Sequence, residues 1–131
     1  MEQGALLIDL RSNDERSRKG IVPGSLHIPR SVLEWRLDPT SGWSNPYVGG
    51  FARRLILMCA QGFSSSLAAA NARALGYEQA TDLDGGFEAW EAAGLPVRLL
   101  DTTSETPEPP GLGAPDLPGP ATHGRTPWLS T

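Results

Sequence analysis

Leu55-Ile56-Leu57-Met58-Cys59-Ala60-Gln61-Gly62-Phe63-Ser64-Ser65 is the stretch whose reading decides the fold. Its first four residues are the most apolar strand candidate in the chain, and they end at a cysteine. Gly62 lets the loop after that cysteine curl tightly. A helix is predicted over 64–75, because Leu67, Ala68, Ala70, Ala72 and Ala74 favour helix and Gly76 closes it. Ser64 and Ser65 are expected to cap this helix or to donate hydroxyl hydrogen bonds.

Working outward, strands and helices alternate. Ala5 to Leu10 suits a buried strand, and the polar run Ser12 to Lys19 allows a helical turn. Gly20 to Pro29 reads as a turn feeding a short strand that stops at the proline. Ser31 with Glu34 three residues on predicts a capping box for a helix ended by Pro39. Residues 38–52 form a Gly, Ser and Pro loop. Beyond the alanine-rich helix, Ala80 to Leu83 is a brief strand, Asp84-Gly85-Gly86 a turn, and Phe87 to Ala93 a last helix with Phe87 and Trp90 facing the core. This alternation predicts an α/β domain with a mostly parallel sheet covered on both faces.

The chain has 131 residues, 39% of them hydrophobic, which suits one compact domain. That domain is expected over 1–100. Positions 101–131 hold seven of the twelve prolines and few large apolar residues, so they read as a tail, mobile or docked in part through Trp128 and Leu129. A net charge of −4 argues against a nucleic-acid partner held by counterion release. No apolar stretch approaches a bilayer span and no secretory signal opens the chain, which predicts a soluble, cytoplasmic protein without a membrane partner. With one cysteine there is neither an internal disulfide nor a cysteine-built zinc site, so Cys59 is a buried filler, an intermolecular partner or a nucleophile.

Its surroundings favour the nucleophile. In such sheets ligands bind beyond the carboxyl ends of strands, where Cys59 lies. Amide groups of the loop and first helical turn converge there, and the positive end of the helix dipole favours an anion such as a thiolate. The same field is expected to lower the thiol pKa.

The loop from Cys59 to Ser65 resembles the active-site loop of rhodanese domains, Cys-x-x-Gly-x-Arg-Ser or, in some single-domain members, Cys-x-x-Gly-x-Ser-Ser. Three further segments match in order: Leu7-Ile8-Asp9-Leu10-Arg11, Gly20-Ile21-Val22-Pro23-Gly24-Ser25, and Leu83-Asp84-Gly85-Gly86-Phe87-Glu88-Ala89-Trp90 with Ala93-Gly94-Leu95-Pro96-Val97. The resemblance covers residues 5 to 98. It implies a three-layer α/β/α fold around a mostly parallel sheet of about five strands. It also implies a thiosulfate sulfurtransferase, in which the Cys59 thiolate takes sulfur from thiosulfate or another sulfane donor as a persulfide and passes it to cyanide, a thiol or a protein thiol. Ala60, Gln61, Gly62, Phe63, Ser64 and Ser65 would bind the small anionic donor. No metal and no cofactor is required, and a monomer is expected.

Many rhodaneses place an arginine at the position of Ser64, so this loop carries less fixed positive charge. Arg30 and Arg36 are candidates to compensate; the alternative is a solvated helix face. Asp9 and Arg11 are expected to form a salt bridge that supports the site without touching substrate. His27, between Leu26 and Ile28, is expected to pack, and Trp35 and Trp43 are candidates to cover the pocket mouth. The chain begins later than most rhodanese domains, which predicts an edge left open or covered by the tail through Leu112 or Trp128. Rival readings are a phosphatase, which needs an arginine where Ser65 stands, a non-catalytic interaction module, and a cysteine redox switch.

Overall fold

A computed structural model describes residues 4–100 and 110–116. Strands β1 (Leu6–Asp9), β2 (Leu26–His27), β3 (Leu55–Met58) and β4 (Ala80–Asp82) form one sheet in the order β2-β1-β3-β4, every neighbouring pair parallel. Helices α1 (Asn13–Lys19), α2 (Leu33–Leu37), α3 (Phe63–Leu75) and α4 (Gly86–Ala92) lie between or after the strands. The architecture is the α/β one expected, with four strands rather than about five. A further strand is reduced to one antiparallel bridge between Ile21 and Arg98, where each backbone N–H reaches the other's carbonyl. Pro96, two residues earlier, has no N–H with which to lengthen a ladder.

Both faces of the sheet are apolar, as a parallel sheet requires. Leu6 and Ile8 of β1 and Leu55 and Leu57 of β3 join Leu33 and Leu37 of α2 and Ala68, Ala69 and Ala72 of α3 in one cluster. The alternate residues Leu7 and Met58 point the other way, onto Phe87 and Trp90 of α4, with Ile56, Leu83 and Val97 against them. The period of two along each strand therefore builds two cores, and Cys59 follows the last core residue of β3.

Two helix starts differ from expectation. Ser31 and Glu34 make no capping box: Arg30–Val32 is a 3-10 turn, and the Glu34 carboxylate instead accepts hydrogen bonds from Arg30 and from Asn71 of α3. A capping box does form at Ser12 and Glu15, which turns the polar run into the regular helix α1.

The segment Pro110–Asp116 is docked on the domain. Arg36 Nε donates to the Pro110 carbonyl at 2.7 Å, and Asn45 Nδ2 donates to the carbonyls of Gly111 and Gly113 at 2.7 and 3.0 Å. The Asp116 N–H reaches the Ser25 carbonyl at 2.7 Å, just before the edge strand β2, and its carboxylate pairs with Arg98. Gly111 is buried and Leu112 half-buried. This stretch of the expected tail is thus a strap beside the sheet edge; Trp128 and Leu129 lie outside the described residues. Among the described residues, no helix is long and apolar enough to cross a membrane.

Candidate active site

Cys59 stands where β3 ends and the chain turns towards α3, and it is 8% exposed. Gly62, at φ 92°, takes the left-handed conformation that reverses the loop, and it occupies the N-cap position of α3. Ser64 and Ser65 therefore lie within the first turn instead of capping it. The reversal brings the Gly62 N–H to 3.0 Å from Cys59 Sγ and the Ser65 hydroxyl to 3.4 Å. Ser65 Oγ is also 3.3 Å from the Gly62 carbonyl and 3.5 Å from Oδ2 of Asp82, at the end of β4.

Burial pushes the Cys59 thiol up, but the hydroxyls of Ser65 and Ser64 and their backbone N–H groups more than offset it, leaving the pKa at about 7 against an ordinary 9.0. The thiol donates to Ser65 Oγ when neutral; as thiolate, Sγ accepts from the same hydroxyl. Ser65 is thus a rotor that serves either protonation state.

The loop is held from behind by α4. The N–H groups of Phe87 and Glu88 donate to the carbonyls of Cys59 and Ala60 at 2.8 and 3.0 Å. Its carbonyls thus face α4, and the Gly62 N–H is free to point at sulfur. Such close approach needs glycine: a Cβ on Gly86 would lie 2.3 Å from the Cys59 carbonyl oxygen, and one on Gly62 3.1 Å from the Gly85 nitrogen. The Asp84-Gly85-Gly86 segment, read from sequence as a turn and as part of one matching motif, is the seat of the reactive loop. Asp82 was not legible as a site neighbour, since only the pairing of β4 with β3 brings it to Ser65.

The other expected residues divide. Ala60 and Gln61 form the outer loop, with Gln61 Nε2 donating to Glu88 at 3.1 Å, while Phe63 is 82% exposed. The Asp9–Arg11 salt bridge is present and buried: Arg11 Nε and Nη2 reach the two carboxylate oxygens at 3.0 and 2.8 Å. Arg16 Nε meets the same carboxylate at 3.2 Å. The Arg11 guanidinium lies 3.9 Å from the centre of the Phe87 ring, which ties β1 to the start of α4. His27 Nε2 is 2.7 Å from the Arg11 carbonyl, and burial, followed by Arg16, lowers its pKa.

Arg30 and Arg36 are given other partners. Arg30 pairs with Glu34 at 3.0 Å. Arg36 is buried, bonded to the Trp43 and Pro110 carbonyls and stacked 4.5 Å from the Trp35 ring centre. Its charge holds the strap and the 38–52 loop. Position in sequence could not show this, because the Pro110 partner is 74 residues away. The cations beside the reactive loop are instead Arg11, Arg18 and Lys19, which line a groove with Ala60 and Gln61. Trp35 and Trp43 are exposed and pair at 5.9 Å between ring centres. Among the described residues there is no group of three or more His, Cys, Asp and Glu side chains that could hold a metal ion.

Comparison with known proteins matches the fold. A family model described as a rhodanese-like domain fits residues 1–93. Thiosulfate sulfurtransferase GlpE of Vibrio cholerae is 43% identical over 47 residues, which span 36% of this chain and 44% of that protein. The chain thus aligns with under half the length of the curated relatives it matches. Among solved structures, the human single-domain sulfurtransferase TSTD1 is 31% identical with a TM-score of 0.58, covering 68% of this chain and 82% of that one. A protein of unknown function from Rhodopseudomonas palustris, described as a possible tyrosine phosphatase, is 33% identical with a TM-score of 0.70, covering 73% and 72%.

Proposed function

This chain belongs to the rhodanese-like domain family, and from that premise we propose that it is a sulfurtransferase carrying sulfane sulfur as a persulfide on Cys59. The observation that carries the reading is the placement of Cys59 Sγ, 3.0 Å from the Gly62 N–H and 3.4 Å from the Ser65 hydroxyl at the start of α3. Two such donors stabilise a thiolate before reaction and a persulfide anion after it.

The Cys59 thiolate attacks the outer sulfur of thiosulfate. A new S–S bond forms, the bond to the sulfonate sulfur breaks, and its electron pair leaves with sulfite. The terminal sulfur of the persulfide is then attacked by cyanide, giving thiocyanate, or by a thiolate, giving the acceptor's persulfide; either step returns the Cys59 thiolate. The donor classes are thiosulfate and low-molecular-weight persulfides, the acceptors cyanide, small thiols and a protein thiol. A lone thiol that must stay reduced fits a cytoplasmic setting.

Phosphatase chemistry fits this loop less well. A phosphoryl group needs an arginine fork on its oxygens, and the sixth residue after the cysteine is Ser65, which is buried with its hydroxyl on sulfur. Mass spectrometry after exposure to thiosulfate tests the proposal: one added sulfur on the wild type, absent in Cys59→Ser, is expected. No adduct with thiosulfate or with glutathione persulfide would overturn it.

A further inference from the structure

The Ser65 hydroxyl has one proton and three acceptors around it. Cys59 Sγ lies 3.4 Å away, the Gly62 carbonyl 3.3 Å and Oδ2 of Asp82 3.5 Å. Ser65 is 0% exposed, which leaves its proton to these three. The Gly62 carbonyl, at the N-cap of α3, is uncharged and already accepts the first backbone bond of the helix. The Asp82 carboxylate is therefore the acceptor that competes with sulfur, and a hydrogen bond to it is charge-assisted.

Asp82 ends β4, opposite Leu57 of β3, and is half-buried. Its carboxylate makes one hydrogen bond among the described residues, to Ser65. The other ionisable groups beside the loop have different partners or places. Glu88 of α4 accepts from Gln61, Asp9 at the end of β1 is paired with Arg11 and Arg16, Asp84 stands in the turn before α4, and α3 carries no charge before Arg73. Among the described residues, Asp82 alone brings a charge to the Ser65 hydroxyl.

We propose that Asp82 is a positioning residue that acts on Cys59 through Ser65, holding the hydroxyl proton while the sulfur is neutral and yielding it when the sulfur becomes an anion. The neutral thiol donates to Ser65 Oγ, and Oγ donates to Asp82, so every proton in the chain has an acceptor. The thiolate breaks this chain, because two anions then compete for one proton. Asp82 thereby keeps the Cys59 pKa above the value that the Gly62 N–H and the serines alone would set.

The same competition bears on sulfur transfer, and there it rests on the sulfurtransferase reading. In the persulfide, Sγ is a neutral, weakly accepting sulfur, and the hydroxyl turns to Asp82. When an acceptor thiolate attacks the outer sulfur, the S–S bond to Sγ breaks and its electron pair returns to Sγ, which then accepts from the Ser65 hydroxyl. Asp82 thus opposes departure of the Cys59 thiolate and favours retention of the persulfide.

Alkylation by iodoacetamide across a pH series tests the first part on protein that carries no added sulfur. Asp82→Asn and Asp82→Ala should each lower the midpoint by about half a unit, so that the rate at pH 6 rises about two- to threefold. In Ser65→Ala protein, Asp82→Asn should move the midpoint less than about half as far. A midpoint unchanged or raised by both substitutions, or a shift as large without the Ser65 hydroxyl as with it, would overturn the proposal. Discharge of the Cys59 persulfide by saturating mercaptoethanol should be about twofold faster in Asp82→Asn, and a rate equal to or below that of the wild type would overturn the role in transfer. Failure of the wild type to form a persulfide would instead bring down the sulfurtransferase reading, with the alkylation midpoints still deciding Asp82.

Discussion

Removing one hydroxyl should take much of the reactivity out of Cys59. Burial raises the thiol, so the hydrogen bonds that bring its pKa to about 7 work against that opposition, and the Ser65 hydroxyl is the largest of them. At pH 7 a thiol titrating near 7 is about half thiolate, whereas one titrating near 9 is about 1% thiolate. Ser65→Ala removes the hydroxyl 3.4 Å from Sγ and keeps the Gly62 N–H at 3.0 Å and the backbone of the first turn. Losing one of several donors should raise the pKa by about one unit, to roughly 8, and leave about a tenth of the protein as thiolate at pH 7. Alkylation by iodoacetamide across a pH series reports this directly, because Cys59 is the only thiol in the chain. The midpoint of the rate profile should move upward and the rate at pH 7 fall about fivefold, while the plateau at high pH holds. A midpoint unchanged in Ser65→Ala, or moved downward, would refute the assignment of Ser65 as principal donor to sulfur.

The depressed pKa has a stability counterpart of definite sign. The wild type should gain stability over Cys59→Ser as pH rises from about 7 to 9, and lose that margin as pH falls through about 7, in urea unfolding at a series of pH values. Gly86→Ala, whose Cβ would lie 2.3 Å from the Cys59 carbonyl at φ 63°, should cost about 2 kcal/mol or more and slow persulfide formation, measured by denaturation and mass spectrometry. Asp9→Asn leaves the buried guanidiniums of Arg11 and Arg16 without their shared carboxylate and should cost about 3–5 kcal/mol in the same denaturation assay. Gly111→Ala sets a Cβ 2.8 Å from Arg36 Cγ at φ 78° and should lower stability by about 1–3 kcal/mol, with no change in the Cys59 alkylation midpoint.

The reactive half of this protein is written locally. Four apolar residues, a cysteine, a glycine at the turn and an alanine-rich helix lie consecutively, so β3, Cys59 and α3 follow from spacing alone. Local signals misled where two of them competed. Ser31 and Glu34 have capping-box spacing, but Arg30 and Asn71 take the Glu34 carboxylate, whereas the same spacing at Ser12 and Glu15 has no such competitor and forms the cap.

Local patterning alone thus specifies an α/β domain with a thiol at a strand's carboxyl end and a loop able to cradle an anion. Which groups surround that thiol is set by long-range packing. Arg36 went to the strap at Pro110, Asp82 came beside Ser65 through the β3–β4 pairing, and the start of α4 took hold of the Cys59 and Ala60 carbonyls. Arg11 was left with one buried nitrogen, Nη1, that has no hydrogen-bond partner. The reason is that strand and helix periodicity act over a few residues of chain, whereas a guanidinium or an amide is satisfied by whichever acceptor packing brings within about 3 Å, however distant in sequence.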